Sequence, residues 1–307
     1  MNKFIKIGIK ILISAIFLLW VIFKVNWPQV IHYLRIANPW ILVLYVIVIL
    51  LGIAISSYKW MFLSHFKDIK HAYSDYYRLY LAGTFINNFM PSFIGGDTFK
   101  AYQTGKAGKK YIEAASAVAI DRVTGLIGIM AIALLFNLIN IRIVMANYVL
   151  LLFTLFIIIA LAWFFFVVKS RNARFWKWIL ERIPQKLARF IEETQGFSAD
   201  YKILAKAIFW GAIFQIVGVA IANLLLFWAL GIQISVLSYL SVIFLVCIVS
   251  AVPISINNVG IQEWAYVTFF GLFGIDPAAV VTVAILSRFI QMIISFFALP
   301  TYLHSKR

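Results

Sequence analysis

Long apolar runs separated by short basic segments dominate the pattern of this 307-residue chain. Several runs reach the roughly 20 residues that a helix needs to cross the hydrocarbon core of a bilayer. The pattern therefore predicts an all-α polytopic membrane protein, a single transmembrane domain over residues 1–307 with about six full transmembrane helices. These predicted helices cover residues 7–23, 40–63, 113–138, 148–168, 203–230 and 278–302.

Two further apolar segments, residues 76–110 and 235–276, are interrupted by residues that break helices. The breakers are Pro91, Gly95 and Gly96 in the first segment and Pro253 and Gly260 in the second. Each limb is too short to cross, and broken backbone at membrane depth is tolerated only where protein or a water-filled cavity surrounds it. We predict two re-entrant helical hairpins with turns at these prolines and glycines.

The basic residues predict on which side each segment begins, because cytoplasmic loops carry the excess of lysine and arginine. The first break is followed by four cations that a full crossing would place outside: Lys100, Lys106, Lys109 and Lys110. The end of the second helix and its loop are assigned to the cytoplasm by Lys59, Lys67, Lys70 and Arg78. An external loop with Asn26, Pro28, His32 and Arg35 is predicted before that helix. The second hairpin is then entered from outside, and both termini are cytoplasmic.

The two hairpins have matching surroundings. Arg122 follows Asp97 by 25 residues, and Arg288 follows Glu263 by the same interval. The two acids are 166 residues apart. When this offset is added to the residue numbers of the second predicted helix, the result falls on the fifth predicted helix. We interpret residues 40–140 and 203–303 as an inverted repeat, a pattern of transporters that build their sites from broken helices. A chance match of the spacing is the alternative.

Composition excludes a soluble protein, since 64% of the residues are apolar, 12% are charged and the mean hydropathy is +0.97. The net charge is +16, and the basic residues that produce it border the apolar runs. This placement favours anionic lipid head groups over nucleic acid as partners. One cysteine and four scattered histidines offer no metal-ligand spacing, and no cofactor or metal is expected. We expect a bacterial cytoplasmic (inner) membrane.

Residues 169–202 are basic and amphipathic, with apolar side chains at roughly helical spacing among arginines and lysines. This pattern predicts a helix on the cytoplasmic membrane surface, broken at Pro184. A solvated loop helix without lipid contact is the alternative.

Charged residues inside the apolar segments are the candidates for function, because an acid or arginine in hydrocarbon costs several kcal/mol unless it is paired or hydrated. The candidates are Asp97, Arg122, Glu263 and Arg288. Free backbone N–H groups at the hairpin tips would bind anions, and polar side chains would complete the site: Lys100, Asn88, Ser92, Ser255, Asn257 and Asn258. The alternative is that each acid and arginine form a structural ion pair. Asp121 points about 100° away from Arg122 round a helix and is expected to serve another contact.

At these residues the chain resembles the transmembrane-domain family of lysylphosphatidylglycerol synthases, the flippase-like proteins. The first signature runs from Asn88-Phe89-Met90-Pro91-Ser92 through Gly95-Gly96-Asp97 to Asp121-Arg122. The second combines Pro253-Ile254-Ser255-Ile256 with Gly260, Glu263 and Ser287-Arg288. The resemblance implies translocation of a phospholipid or a polyprenyl-phosphate-linked lipid. Fuller family members carry a soluble aminoacyl-transferase domain, but this chain ends at Arg307, so lysyl transfer is not expected.

Lys100 departs from the resemblance, since an arginine is expected just after Gly-Gly-Asp. Lysine keeps the attraction for phosphate but loses the bidentate fork. We interpret the chain as a lipid flippase or scramblase without catalytic residues. A homo-oligomer is compatible with this interpretation. An ion-coupled transporter of a soluble anion and, less favoured, a membrane-embedded lipid-phosphate enzyme remain as alternatives.

Overall fold

The computed structural model of the protein describes residues 12, 15–17, 19–89, 94–169, 180–252, 255 and 258–305. All the regular elements in these ranges are helices, which confirms the all-α prediction. The first half contains α1 (Ala15–Lys24), α2 (Trp27–Ile36), α3 (Pro39–Phe66), α4 (Tyr73–Phe89), α5 (Ile94–Lys106), α6 (Tyr111–Ile139), α7 (Ile141–Ala146) and α8 (Tyr148–Lys169). The second half contains α9 (Gln185–Gly196), α10 (Tyr201–Ala229), α11 (Val236–Ala251), α12 (Ile261–Gly271), α13 (Pro277–Phe296) and α14 (Leu299–Ser305).

Five helices, α3, α6, α8, α10 and α13, are long and apolar enough to cross a bilayer. They correspond to five of the six predicted spans, so the chain is a multi-pass membrane protein. A sixth candidate is the pair α1 and α2, which is bent by 81° at its break. Most of the first predicted span, residues 7–23, lies outside the described residues.

The predicted external loop before α3 is wrong, because residues Trp27–Ile36 form the helix α2. Pro28 stands in the first turn of this helix, where its missing N–H would have had no intrahelical acceptor. The last predicted helix is also shorter than expected: α13 ends at Phe296, and the separate short helix α14 follows.

Both interrupted segments form pairs of short helices that pack against each other, α4 with α5 and α11 with α12. The four helices have 17, 13, 16 and 11 residues, all below the roughly 20 needed for a crossing. The breaks themselves lie largely outside the described residues, including the predicted turn residues Pro91 and Pro253.

The prediction that Gly95 and Gly96 form the turn of the first hairpin is wrong. Both lie in the first helical turn of α5. The reason for a glycine at position 96 is close packing of the two limbs. A Cβ atom on Gly96 would stand 2.2 Å from the carbonyl oxygen of Gly83 in α4. The N–H of Gly96 also donates to Oδ1 of Asn87 at 2.8 Å, which joins the end of α4 to the start of α5.

Helices α3, α6 and α10 pack against one another at the centre of the fold. A Cβ atom on Gly52 of α3 would lie 2.7 Å from the Cα atom of Gly218, which sits in a π-helical segment of α10, Gln215–Ile221. A Cβ atom on Gly128 of α6 would lie 3.0 Å from the backbone nitrogen of Ala212 in α10. Small residues allow this approach of backbones, the usual basis of helix association in membranes.

The helix pairs also pack across the two halves of the chain. In the first half, the pair α4 and α5 packs against α6 through α5 and against α13 through α4. In the second half, the pair α11 and α12 packs against α13 through α12 and against α6 through α11. Each broken pair therefore contacts both α6 and α13, one from each half of the chain.

The amphipathic segment is described from residue 180 onward, and its helix α9 starts directly after Pro184. This helix packs against α6. Nη2 of Arg189 lies 2.5 Å from Oε1 of Glu113, and Nζ of Lys67 lies 2.8 Å from Oε2 of Glu193. The helix is thus attached to the protein by ion pairs at the ends of α3 and α6.

We expect Gly52→Ala to destabilise the protein by about 1–3 kcal/mol, because the added methyl group would meet backbone of α10 rather than a movable side chain. Thermal unfolding in detergent measures the change. Gly271→Ala is the matched control, since no atom lies within 4 Å of the added Cβ there. Equal stability of Gly52→Ala and the unchanged protein would contradict the close helix crossing.

Candidate functional site

A cavity of about 300 Å³ lies between the two broken helix pairs. Both halves of the chain contribute to its wall, which combines apolar side chains with a set of polar ones. The polar lining residues are Tyr80, Thr84, Asn87, Asp97, Lys100, Arg122, Asn223, Ser250, Gln262, Tyr266, Ser287, Gln291 and Ser295. The formal charges among these residues come from Asp97, Lys100 and Arg122, which were all predicted as site residues.

Asp97 connects the two cations. Its carboxylate lies 2.9 Å from Nζ of Lys100 and accepts two hydrogen bonds of 2.8 Å from Nε and Nη2 of Arg122. This bidentate geometry is the strong form of an arginine–carboxylate pair. The 25-residue interval between Asp97 and Arg122 therefore does correspond to a direct contact between α5 and α6.

The two cations differ in their surroundings. Lys100 is 2% exposed, and its ammonium lies 5.3 Å from the ring centre of Trp60 and 4.6 Å from that of Tyr80. Such aromatic faces attract a cation without neutralising it. The Arg122 side chain is 49% exposed and stands at the edge of the cavity.

Glu263 and Arg288 also form the predicted pair, with Nη2 of Arg288 2.9 Å from Oε1 of Glu263. The other carboxylate oxygen of Glu263 accepts the N–H of Gly260 at 2.7 Å and so caps α12. Gly260 has a φ of 85°, which glycine adopts without strain, so the prediction of a conformational glycine holds here. Arg288 also donates to Oε1 of Gln262 at 3.0 Å.

The second pair differs in position from the first. Gln262 lines the central cavity, whereas neither Glu263 nor Arg288 is among its lining residues. The two predicted pairs are therefore not equivalent: the first forms part of the cavity wall, and the second lies behind it and joins α12 to α13.

The remaining predicted residues are distributed around the hairpin tips. Asn88 donates to Oγ of Ser295 at 2.6 Å and so ties the tip of α4 to α13. Asn258 has a positive φ of 56° and donates its amide to the carbonyl of Ser250 at the end of α11. Ser255 is buried. Ser92 and Asn257 lie outside the described residues.

A third buried ion pair was not predicted. Nζ of Lys59 in α3 lies 3.1 Å from Oδ1 of Asp121 and donates to the backbone oxygen of the same residue at 2.7 Å. Both residues are 4% exposed. Lys59 is thus a buried member of an ion pair, which its assignment as a cation of the membrane border did not include, and the expectation that Asp121 serves a separate contact is confirmed.

A network of polar side chains from both halves of the chain was also not predicted. Gln291 donates to the hydroxyls of Tyr45 and Ser287 at 3.2 and 2.8 Å, and these two hydroxyls lie 3.0 Å apart. Tyr266 donates to Oδ1 of Asn223 at 2.7 Å. These bonds link α3 to α13 and α10 to α12 around the cavity. Among the residues that the structure describes, no cluster of histidine, cysteine and acidic side chains could hold a metal ion.

Multiple apolar spans, two broken helix pairs and a charged cavity between them define the class: a polytopic all-α membrane protein with an internal polar site. Residues 7–298 match the family model of the lysylphosphatidylglycerol synthase TM region, and the chain belongs to that family.

A relative is known from Methanocaldococcus jannaschii, where it is called UPF0104 membrane protein MJ1595. It is 26% identical over 329 residues, which cover 98% of this chain and 94% of the relative. No solved structure matches the chain.

We expect Asp121→Ala to destabilise the protein by about 3–5 kcal/mol, because it leaves the buried Lys59 ammonium without its carboxylate. The double variant Lys59→Met, Asp121→Leu removes both charges and should recover most of the loss. Thermal unfolding in detergent compares the two. A single variant as stable as the unchanged protein would contradict a buried, ionised pair.

Proposed function

We propose that the protein moves a phosphate-bearing lipid between the two leaflets of the membrane, as a flippase or scramblase, without chemical change to the lipid. The observation that carries this proposal is the central cavity, whose charged wall is formed by Asp97, Lys100 and Arg122. Membership in the lysylphosphatidylglycerol synthase TM region family supports a substrate that is a lipid.

The size of the cavity suits a head group rather than a whole lipid. About 300 Å³ is at the lower end of the volumes of small-molecule sites. A polar head group that crosses the hydrocarbon unaided loses its hydration, whereas this cavity offers hydroxyl, amide and cationic partners. The acyl chains would remain in the bilayer while the head group passes through the protein.

Lys100 and Arg122 would bind the phosphate. In the present geometry both cations are directed at Asp97, so a phosphate would compete with this carboxylate for their N–H groups. The guanidinium can serve two oxygens at once, and the ammonium acts as a point charge. Asp97 would hold both cations in position when no lipid is bound.

Alternating access would follow from an inverted repeat of residues 40–140 and 203–303. The reciprocal packing supports this arrangement: α4 contacts α13, and α11 contacts α6. In the inverted arrangement the first pair opens to the cytoplasm and the second to the outside, with both chain termini in the cytoplasm of a bacterial cell.

Leaflet exchange of fluorescent phosphatidylglycerol, phosphatidylcholine and a polyprenyl phosphate in proteoliposomes tests the function. We expect exchange by the unchanged protein and a loss of about tenfold or more in Arg122→Ala, because a hydrogen bond to a charged group contributes roughly 1.5–3 kcal/mol. Arg142→Ala, on the exposed helix α7, is the matched control and should retain full exchange. Absence of exchange for all lipids by folded protein would contradict the proposal and favour an ion-coupled transporter of a soluble anion.

Cysteine labelling tests the orientation. Lys106 is exposed at the end of α5, and Gln233 is exposed between α10 and α11. In a Cys247→Ala background, single cysteines at these two positions should react with an impermeant maleimide from opposite sides of the membrane. Position 106 should react from the cytoplasmic side and position 233 from outside. Labelling of both positions from one side would rule out the inverted arrangement.

A further inference from the structure

The three ion clusters of the helix bundle differ in net charge. Lys59 with Asp121 and Glu263 with Arg288 each combine one cation with one anion and are neutral. The cluster of Asp97, Lys100 and Arg122 contains two cations and one anion, so it carries a net charge of +1. Residues 90–93, which precede α5 in the sequence, are Met, Pro, Ser and Phe and carry no charge.

An uncompensated charge within the hydrocarbon is costly, since it lacks both water and a counter-charge. The rings of Trp60 and Tyr80 reduce this cost for Lys100 but do not cancel the charge. One further negative charge placed between Lys100 and Arg122 would neutralise the cluster. A phosphodiester carries one negative charge, whereas a second negative charge would again be left without a partner.

A groove on the outside of the protein leads to the same cluster. It has a volume of about 540 Å³ and lies between α5 and α6, with Phe190 of α9 at its border. Asp97 and Arg122 line both this groove and the central cavity. The pair therefore forms a wall between the bilayer-facing groove and the polar interior.

Small side chains create the groove. On α6, Tyr111, Ala115, Ala119 and Arg122 follow one another at spacings of three and four residues and so share one helix face. Ala101 lies opposite them on α5. The methyl side chains leave a channel between the two helices that is apolar along its length and ends at a charged pair.

The groove runs along α6 for about half the length that a bilayer crossing requires. Arg122 follows Tyr111 by 11 residues, a rise of about 16 Å along α6. This is about half of the roughly 30 Å hydrocarbon thickness. At the other end, Tyr102 and Tyr111 stack with ring centres 5.6 Å apart, a position typical of aromatic residues at the membrane interface.

We propose that this groove admits a lipid sideways from the cytoplasmic leaflet, and that Lys100 and Arg122 select a head group with a single net negative charge. This inference rests on the proposed function and names its substrate class and route. The occupant is a lipid rather than a free phosphate, because an apolar groove offers acyl chains a surface that a soluble anion would not use. Glu263 and Arg288, being neutral and outside the cavity lining, hold α12 to α13 and bind no head group.

Charge selection is tested by thermal unfolding in detergent with added phosphatidylglycerol, phosphatidylcholine or glycerophosphoglycerol, the soluble phosphodiester that carries the same single charge as phosphatidylglycerol. A ligand that binds the folded state raises the unfolding temperature. We expect phosphatidylglycerol to stabilise the unchanged protein most, with an apparent affinity about tenfold or more above that for phosphatidylcholine, and glycerophosphoglycerol to have little effect. Lys100→Gln should abolish the preference, while Lys100→Arg and the exposed control Lys106→Gln should keep it.

The route is tested by filling the groove. Ala119→Trp should slow leaflet exchange of phosphatidylglycerol by about tenfold or more, because the indole ring would occupy the space between α5 and α6. Leu135→Trp adds similar bulk on the exposed side of the same helix and should leave exchange unchanged.

The outcomes distinguish a failure of this inference from a failure of the proposed function. If the unchanged protein exchanges lipids but Lys100→Gln keeps the preference for phosphatidylglycerol, charge selection by this cluster is wrong. If Ala119→Trp exchanges lipid at the normal rate, the lateral route is wrong. Stabilisation by glycerophosphoglycerol as strong as that by phosphatidylglycerol would assign the site to a soluble anion. If no lipid is exchanged at all, the proposed function itself fails.

Discussion

An ionised side chain in hydrocarbon needs a partner, and this requirement determines how the helices of the protein are joined. Each ion cluster connects two helices: Lys59 and Asp121 join α3 to α6, Asp97 and Arg122 join α5 to α6, and Glu263 and Arg288 join α12 to α13. For the fully buried pair of Lys59 and Asp121, removal of one partner costs about 3–5 kcal/mol. The ion pairs thus fix both broken helix pairs to full-length helices, and α6 takes part in two of the three.

The cavity is a consequence of this arrangement. The two pairs of short helices leave a space between them, and the contacts of α4 with α13 and of α11 with α6 hold the two pairs on either side of it. The tight glycine contacts bring α3, α6 and α10 together, so the open volume is confined to the region between the hairpins. The polar network of Tyr45, Ser287 and Gln291 supports the wall on the side of the second half.

The long spans could be predicted to within a few residues because the length of an apolar run is set directly by the thickness of the hydrocarbon core. The acid–arginine contacts could also be predicted, since both members of each pair stand out in apolar surroundings. The burial of Lys59 could not be predicted, because a lysine near the end of a span resembles a cation at the membrane border. Only the contact with Asp121, 62 residues away, identifies it as buried.

Other features depend on distant partners that no local pattern contains. The requirement for glycine at position 96 comes from Gly83 on the opposite limb. The bond between Gln291 and Tyr45 joins residues 246 positions apart. Helix α2 was missed because its proline and polar residues resemble a loop, although a proline in the first turn of a helix is well tolerated.

The central claim is that a lipid head group enters the cavity beside Asp97, Lys100 and Arg122. Photocrosslinking in membranes, with phosphatidylglycerol that carries a diazirine on its head group, tests it most directly once the adducts are located by mass spectrometry. The account predicts adducts in the facing segments of α5 and α6, between Asp97 and Arg122, that are lost when unlabelled phosphatidylglycerol is in excess. Adducts confined to the lipid-facing surface of α8, or adducts that excess lipid does not displace, would contradict it.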